Sequence, residues 1–359
     1  MEDGEWEALA YRIVQGLDVQ AGELIQIRGD PGSYEFLLEV LLAVESAGAT
    51  PLPEIFNARY LQRLWSGAPL EYLAQWDHRR AGWMEKLDRI ISFVRPNAGS
   101  SVAPEERRQA WQRAIERLTV IEEARRLPFL VVVVPGEDWA GSLGIPYETL
   151  KSTLLPALIA SPEALRAEIE RVLDAVNRGK EILIHSGDGY LLRMAHGERM
   201  WLGDDGLIDA EDRRKGAIVS NLPAGSVYTT VLESETSGKL FLPAMEAARE
   251  AVLTFRGGRI VDIAAESGAE ALKSWIFSYT GEPGRISHIG IGLNPHLTQP
   301  TGWHTIVDEH VRGIIFFALG ENRYMGGENE STLNADYIVP NASFIVDGKA
   351  IVLGGKVVV

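Results

Sequence analysis

The chain has 359 residues, with 35 basic and 50 acidic side chains and a formal net charge of −15. This acidic balance disfavours nucleic acid and anionic membrane surfaces as partners, because both carry negative charge. The sequence contains no cysteine, which excludes disulfide frameworks, cysteine-ligated zinc, iron–sulfur clusters and thiol nucleophiles. At roughly 150 residues per domain, a chain of this length is expected to form two domains.

The termini and apolar stretches predict a cytoplasmic protein with no membrane partner. The N-terminal segment MEDGEWEALA carries acidic residues where a signal peptide needs a basic start and an apolar run. The most apolar stretch, LPFLVVVVP at residues 127–135, is much shorter than the roughly 20 residues of a membrane helix. It is typical of a buried strand instead.

The first half of the chain alternates strand-like and helix-like segments. Strands are predicted at residues 24–27, 51–56, 89–94 and 131–134, and helices at residues 34–46, 104–126 and 162–178. Short apolar runs without polar alternation, separated by helices, are typical of a parallel sheet covered on both faces. Residues 1–180 are therefore predicted to form an α/β N-terminal domain.

After residue 180 the pattern changes to short strands joined by glycine-rich turns. Strands are predicted at residues 181–185, 190–194, 198–202, 226–231, 251–255, 259–264, 314–319, 343–346 and 350–353, with one helix at residues 268–278. Turns such as Arg-Gly-Gly and Asp-Gly-Lys between such strands favour hairpins. Residues 181–359 are therefore predicted to form a mostly antiparallel α+β C-terminal domain.

Two familiar motifs are too weak to assign chemistry. Gly290 and Gly292 lie in an apolar stretch without the strand–turn–helix context of a dinucleotide fingerprint. His185, Ser186 and Asp188 are nearly adjacent, whereas a hydrolase triad is assembled from distant parts of a fold. The segment around Ser186 is interpreted as a hairpin turn.

The histidines of the C-terminal third are the informative feature. His288, His296, His304 and His310 fall within 23 positions. In a chain without cysteine, imidazole and carboxylate are the strong ligands for a transition metal, and two imidazoles with one carboxylate form a non-haem Fe(II) site. His288 and Asp336 are candidate ligands. The alternative is that these are ordinary histidines, hydrogen-bonded and without a metal.

Several segments carry a family resemblance. SNLPAGSVYTTVLESETSGKL, RISHIGIGLNP, GIIFFALGENRYMGG and STLNADYIVPNASFIVDGKAIV resemble the aminopeptidase T / aminopeptidase II metallopeptidase family, in order along nearly the whole chain. The resemblance implies an α/β N-terminal domain, a C-terminal domain that holds the metal site, and a homodimer.

The ligands of the two-metal peptidase site are mostly replaced. The resemblance places its two glutamates at Ser226 and His288, and its two histidines at Phe316 and Asn334, so that only Asp336 is retained. The tyrosine ligand falls near Tyr324. Two neighbouring divalent ions need bridging carboxylates to offset their repulsion, so a two-metal hydrolytic site is disfavoured.

A second branch is more similar around the site. SHIGIGLNP looks like the iron-binding stretch of 2,5-dihydroxypyridine 5,6-dioxygenase, which has a histidine at the position of His288. In that enzyme a histidine and an aspartate complete the iron site, and they fall on Asn334 and Asp336. The resemblance implies metal ligands His288, Asn334 and Asp336, with His304 of the TGWH segment as an alternative third ligand.

Three hypotheses stay open. The first is a mononuclear Fe(II) enzyme that cleaves or oxidises a small hydroxylated aromatic or heteroaromatic substrate. In it, His304, His310 and Tyr324 are the candidate catalytic groups, and Trp303 is a candidate pocket wall. The second is a divergent aminopeptidase that uses zinc, manganese or cobalt. The third is a non-catalytic binding protein with a degraded metal site.

Overall fold

The computed structural model describes residues 3–96 and 104–359. Its helices are α1 (Asp3–Gly16), α2 (Tyr34–Ser46), α3 (Ala58–Gly67), α4 (Leu70–Ala74), α5 (Asp77–Met84), α6 (Glu105–Arg125), α7 (Glu137–Leu143), α8 (Tyr147–Leu158), α9 (Pro162–Val176), α10 (Ala210–Lys215), α11 (Ala269–Ile276) and α12 (Thr305–Asp308). Its strands are β1 (Leu24–Gly29), β2 (Thr50–Ile55), β3 (Arg89–Val94), β4 (Phe129–Val133), β5 (Glu181–Ser186), β6 (Tyr190–Ala195), β7 (Leu202–Asp204), β8 (Val219–Leu222), β9 (Ser226–Thr230), β10 (Ser237–Met245), β11 (Ala248–Arg256), β12 (Arg259–Ala264), β13 (Ile286–Gly292), β14 (Ile315–Gly320), β15 (Asn334–Val339), β16 (Ser343–Val346), β17 (Lys349–Leu353) and β18 (Lys356–Val357).

The chain folds into two compact units, each built from two segments. Unit 1 comprises residues 1–159 and 206–223, and unit 2 comprises residues 160–205 and 224–359. The division predicted from the sequence is a single boundary near residue 180, which lies inside the first segment of unit 2, after α9. The segment 206–223 carries α10 and β8 back to unit 1.

Unit 1 contains the predicted parallel sheet. The strand order is β2-β1-β3-β4-β8, and all neighbouring strands are parallel. The apolar runs place Ile25, Ile27, Ile90 and Leu130 in the core, all fully buried. Burial of such side chains stabilises the unit by about 1.5–3 kcal/mol each relative to exposure.

Unit 2 is antiparallel, as predicted. One sheet has eight strands in the order β12-β11-β10-β6-β5-β16-β17-β18, and the other has five in the order β15-β14-β13-β9-β7. The turn predicted around Ser186 joins β5 to β6 as a hairpin. The five-stranded sheet, whose central strand β13 is buried along its whole length, positions the candidate site.

One predicted strand is wrong. The segment 198–202 is not a strand, and β7 begins only at Leu202. Trp201 instead stacks on His196 at 5.2 Å between ring centroids, and Arg199 pairs with the buried Glu233. These side-chain contacts, rather than backbone pairing with another strand, hold the segment in place.

The helices show no membrane-spanning segment. Among residues 3–96 and 104–359, none combines the length and the apolar character that crossing a bilayer requires.

Candidate metal centre

One face of the five-stranded sheet gathers the positions to which the resemblance assigned chemistry. In the register, His288 lies opposite Thr230 on β9, and Gly290 lies between Tyr228 on β9 and Phe316 on β14. Asp336 on β15 lies opposite Ala318, two residues from Phe316 on β14. Because alternate residues of a strand share a face, this face carries Ser226, Tyr228, Thr230, His288, Phe316, Asn334 and Asp336.

His288 and Asp336 meet on this face, although 47 sequence positions separate them. His288 Nε2 lies 2.9 Å from Asp336 Oδ1. The imidazole side chain is 9% exposed and the carboxylate 34%, so the pair is accessible to a small ligand mainly on the carboxylate side.

The hydrogen bonds around His288 fix the roles of its two nitrogens. Ser287 Oγ donates to the carbonyl of Glu321 at 2.6 Å and therefore offers His288 Nδ1 a lone pair at 3.2 Å. Nδ1 must then carry a proton, which leaves Nε2 facing the carboxylate of Asp336. Two acceptor atoms 2.9 Å apart repel each other unless a cation lies between them, either a second proton or a metal ion.

Aromatic rings flank the imidazole on both sides. The ring of Tyr228 lies 6.4 Å from that of His288, and the ring of Phe316 lies 6.0 Å away, both edge to face. Phe316 covers Gly290 so closely that a Cβ there would lie 2.2 Å from the ring. The resemblance assigns a metal-binding histidine to position 316; the phenylalanine found there makes this part of the face apolar.

Asn334 and Tyr324 form a second pair beside the first. Asn334 Nδ2 donates to the hydroxyl of Tyr324 at 3.3 Å. Burial of the hydroxyl end and the nearby carboxylates of Asp336 and Glu309 raise the pKa of Tyr324 to about 12, although 60% of the residue is exposed. Tyr324 is therefore a neutral hydrogen-bonding group at neutral pH.

The segment after α12 lies directly over the sheet. A Cβ on Gly292 would lie 2.3 Å from the carbonyl oxygen of Val311, so only glycine permits this approach. The approach brings Glu309 close enough for its charge to interact with those of Asp336 and His288. Burial raises the pKa of Glu309, which makes it a carboxyl group able to hold a proton near the candidate metal centre.

His310 is paired with Glu309 rather than with His288. Its ring is buried, and Nε2 lies 3.4 Å from Glu309 Oε1 in a charge contact too poorly aligned for a hydrogen bond. Burial alone lowers the pKa of His310, but the charges of Glu309 and Asp204 raise it above its usual value. The buried imidazole and the neighbouring carboxyl group therefore influence each other through their charges.

His304 has a local structural role. Its Nδ1 accepts a hydrogen bond from the backbone N–H of Ile306 at 3.3 Å and caps α12. Asp308 holds the same turn by accepting from the backbone N–H groups of Thr301 and Gly302. Among the described residues, no contact joins His304 to His288 or Asp336.

A buried network supports the strand that carries His288. Glu233 accepts hydrogen bonds from Asn322 Nδ2 at 3.0 Å and from the backbone N–H of Glu328 at 2.7 Å, and it pairs with Arg199 at 2.8 Å. Asn322 also donates to the carbonyl of Ser287, next to His288. Burial alone would raise the pKa of Glu233, but these donors and the charge of Arg199 bring it below its usual value.

Two strong donor groups, the imidazole of His288 and the carboxylate of Asp336, have the spacing that a single cation needs. An octahedral ion with bonds of about 2.1 Å separates neighbouring donor atoms by roughly 3 Å, which matches the His288–Asp336 spacing. Asn334 and Tyr324 offer weaker oxygen donors on the same side. Within the described part of the chain, no group of three or more His, Cys, Asp or Glu side chains is arranged to hold a metal ion.

Solved structures define the fold class as that of two-unit AmpT-like proteins. AmpT from Thermus thermophilus is 20% identical over 100% of both chains, with a TM-score of 0.78. The 2,5-dihydroxypyridine dioxygenase from Pseudomonas putida KT2440 is 17% identical over 100% of this chain and 98% of that one, with a TM-score of 0.63. At these identities the likeness shows the fold. The chain has no match among curated proteins.

The family match goes further than the fold. The model of the family NicX, 2,5-dihydroxypyridine 5,6-dioxygenase, matches residues 151–359, and the chain belongs to this family. The resemblance inferred from the sequence motifs is confirmed, and the match supports a dioxygenase-like function.

Glu309 is the residue of this site that the sequence analysis missed. Its neighbour His310 was predicted because histidine is a typical metal ligand and acid–base group. In the run Asp308-Glu309-His310 two carboxyl groups precede the histidine, and this pairing of acidic residues with a histidine is the signal that could have found Glu309.

Proposed function

We propose that the protein is a mononuclear Fe(II) dioxygenase that cleaves the ring of a small hydroxylated heteroaromatic or aromatic substrate. The observation that supports the proposal is the His288–Asp336 pair, whose Nε2 and Oδ1 atoms lie 2.9 Å apart, close to the spacing of neighbouring ligand atoms around one metal ion. Membership of the 2,5-dihydroxypyridine 5,6-dioxygenase family supports the same chemistry.

In this proposal His288 and Asp336 hold the iron, with Asn334 as a weak third ligand. Bound Fe(II) would supply the activation of O₂, which a protein side chain cannot provide. Ser287 holds the proton on Nδ1 of His288 and so keeps Nε2 directed to the metal. A wrong tautomer would remove the lone pair that the metal needs.

The remaining groups shape and orient the substrate. Tyr228 and Phe316 provide aromatic faces beside His288, against which a flat ring packs. Tyr324 is a neutral hydroxyl that can hydrogen-bond a substrate hydroxyl. Glu309, whose pKa is raised by burial, lies beside His310 and is the candidate acid for the opened ring.

The aminopeptidase alternative rests on the AmpT fold and meets a specific obstacle. Positions 226 and 316, which the resemblance assigns to ligands of a two-metal site, hold a buried serine and a buried phenylalanine. Neither residue supplies the carboxylate or imidazole that a second divalent ion needs.

A non-catalytic binding protein is the third possibility, and metal content distinguishes it from the other two.

Oxygen consumption tests the proposal. Protein loaded anaerobically with Fe(II) is expected to hold about one iron per chain and to consume O₂ when 2,5-dihydroxypyridine is added. The same protein loaded with zinc or manganese should consume none. Release of N-terminal residues from peptides by the zinc form, with no O₂ uptake by the iron form, would support the peptidase alternative instead.

The homodimer and the cytoplasmic location stay predictions.

A further inference from the structure

A β-bulge interrupts the pairing of β13 with β14 at the position of His288. The register shifts there, so that two residues of β13, Ser287 and His288, lie opposite the single residue Ala318 of β14. Asp336 on β15 lies opposite the same Ala318. A bulge of this kind bends the strand and changes the direction of a side chain. Whatever fixes the bulge therefore also fixes the direction of the imidazole towards Asp336.

Buried side chains hold the bulge on the side of β14. Ser287 Oγ donates to the carbonyl of Glu321 at 2.6 Å, and Asn322 Nδ2 donates to the carbonyl of Ser287 at 3.1 Å. Ser287 and Asn322 are both fully buried. The peptide that joins Ser287 to His288 is thus bonded to the loop that follows β14.

The side-chain amide of Asn322 has a partner for each of its hydrogen-bonding groups. One hydrogen of Nδ2 goes to Ser287, and the other goes to Glu233 Oε1 at 3.0 Å. Oδ1 accepts from the backbone N–H of Asn329 at 2.8 Å. Without Glu233 one buried hydrogen of the amide would lose its acceptor, which is costly, so the amide would be free to turn away from Ser287.

Glu233 also holds the loop that carries Tyr324. Its Oε1 accepts from the backbone N–H of Glu328 at 2.7 Å, and its Oε2 pairs with Arg199 at 2.8 Å. Arg199 in turn donates to the carbonyl of Gly326. One buried carboxylate therefore holds the Tyr324 loop directly and the bulge through the neighbouring amide.

We propose that Glu233 is a positioning residue for the candidate metal centre: acting through Asn322, it fixes the bulge that directs His288 to Asp336, and so it sets the affinity for the metal. Among the described residues, Glu233 forms no hydrogen bond or ion pair with His288 or Asp336 itself. The inference rests on the function proposed above, because it assumes that His288 binds the metal.

Anaerobic titration of Glu233→Ala with Fe(II) tests this role. We expect the affinity for Fe(II) to fall by about 10- to 100-fold, as for other residues that orient a metal ligand. Glu233→Gln should lose much less, because an amide oxygen can still accept from both Asn322 and Glu328. Thermal unfolding identifies a temperature at which each variant is folded, and the titrations are made there.

A second variant tests whether Glu233 acts through Asn322. Asn322→Ala removes the donor to Ser287 and should weaken Fe(II) binding by a similar factor, which also tests the inference if Glu233→Ala does not fold. The double variant should lose no more than either single variant, because both substitutions interrupt the same chain of hydrogen bonds.

The matched control is Ser186→Ala, which removes another buried polar side chain of unit 2. Ser186 is 2% exposed and accepts from the backbone N–H of Phe241 at 2.9 Å, in the eight-stranded sheet. This variant should lose stability but bind Fe(II) like the unmodified protein.

The outcomes separate this inference from the proposed function. If the unmodified protein binds Fe(II), an unchanged affinity in Glu233→Ala, an equal loss in Glu233→Gln, additive losses in the double variant or a similar loss in Ser186→Ala overturns the role of Glu233 alone. If the unmodified protein binds no Fe(II), the proposed function is overturned, and this inference with it.

Discussion

Replacing His288 with alanine is expected to abolish iron binding. In the proposed site His288 is one of the two strong ligands, and loss of a residue that merely orients a metal ligand already costs about 10- to 100-fold in affinity. His288→Ala should therefore weaken Fe(II) binding by at least roughly 100-fold. Metal analysis after anaerobic loading and desalting measures the effect.

Two further variants make this result interpretable. Asp336→Asn keeps the shape of the side chain but removes its charge, and it should lose iron to a similar extent while remaining folded. His185→Ala removes an exposed histidine from β5 and should retain iron like the unmodified protein. Iron retained at full stoichiometry in both His288→Ala and Asp336→Asn would show that the metal lies elsewhere.

Replacing Asn334 with histidine is expected to have the opposite effect. Asn334 and Asp336 lie two residues apart on β15 and share a face, so an imidazole at position 334 approaches the side of the sheet where His288 and Asp336 meet. Two imidazoles and one carboxylate form the ligand set of non-haem Fe(II) sites. Asn334→His should tighten Fe(II) binding by about 10-fold or more, measured by anaerobic titration.

The matched control for this gain is Asn177→His, which adds an imidazole at the exposed end of α9. Asn177→His should leave the affinity for Fe(II) unchanged, because its added imidazole is not placed beside His288 and Asp336. A gain in this variant would show that any added surface histidine attracts iron. If Asn334→His binds iron no better than the unmodified protein, the site has been rebuilt around other donors, and the inherited ligand geometry no longer applies.

The local elements of the fold were predictable where one segment contains its own signal. The bounds of α2, β3 and β12 agree with the predictions, because capping, apolar spacing and turn residues are local. β8 was missed because it pairs with β4, about 90 residues earlier, and that pairing completes the sheet of unit 1. No local pattern shows that a segment from the second half of the chain returns to the first unit.

The site was accessible from the sequence only in part. His288 and Asp336 were predicted from the histidine-rich segment and then from the resemblance, and the structure places their side chains 2.9 Å apart, while their role as ligands stays a prediction. Glu309 was missed because its proximity arises from the close approach of the segment 309–311 to Gly292. The separation of His304 from the pair was not predictable either, since it depends on how α12 begins.

Labelling with ¹⁸O₂ tests the central claim most directly. If the iron-loaded protein is a ring-cleaving dioxygenase, the carbon–carbon bond of the substrate breaks and both atoms of O₂ enter the product. Mass spectrometry of the product from 2,5-dihydroxypyridine should therefore show a gain of two heavy oxygen atoms in ¹⁸O₂ and none in H₂¹⁸O beyond ordinary exchange. A product that takes its oxygen from water alone would contradict the dioxygenase assignment.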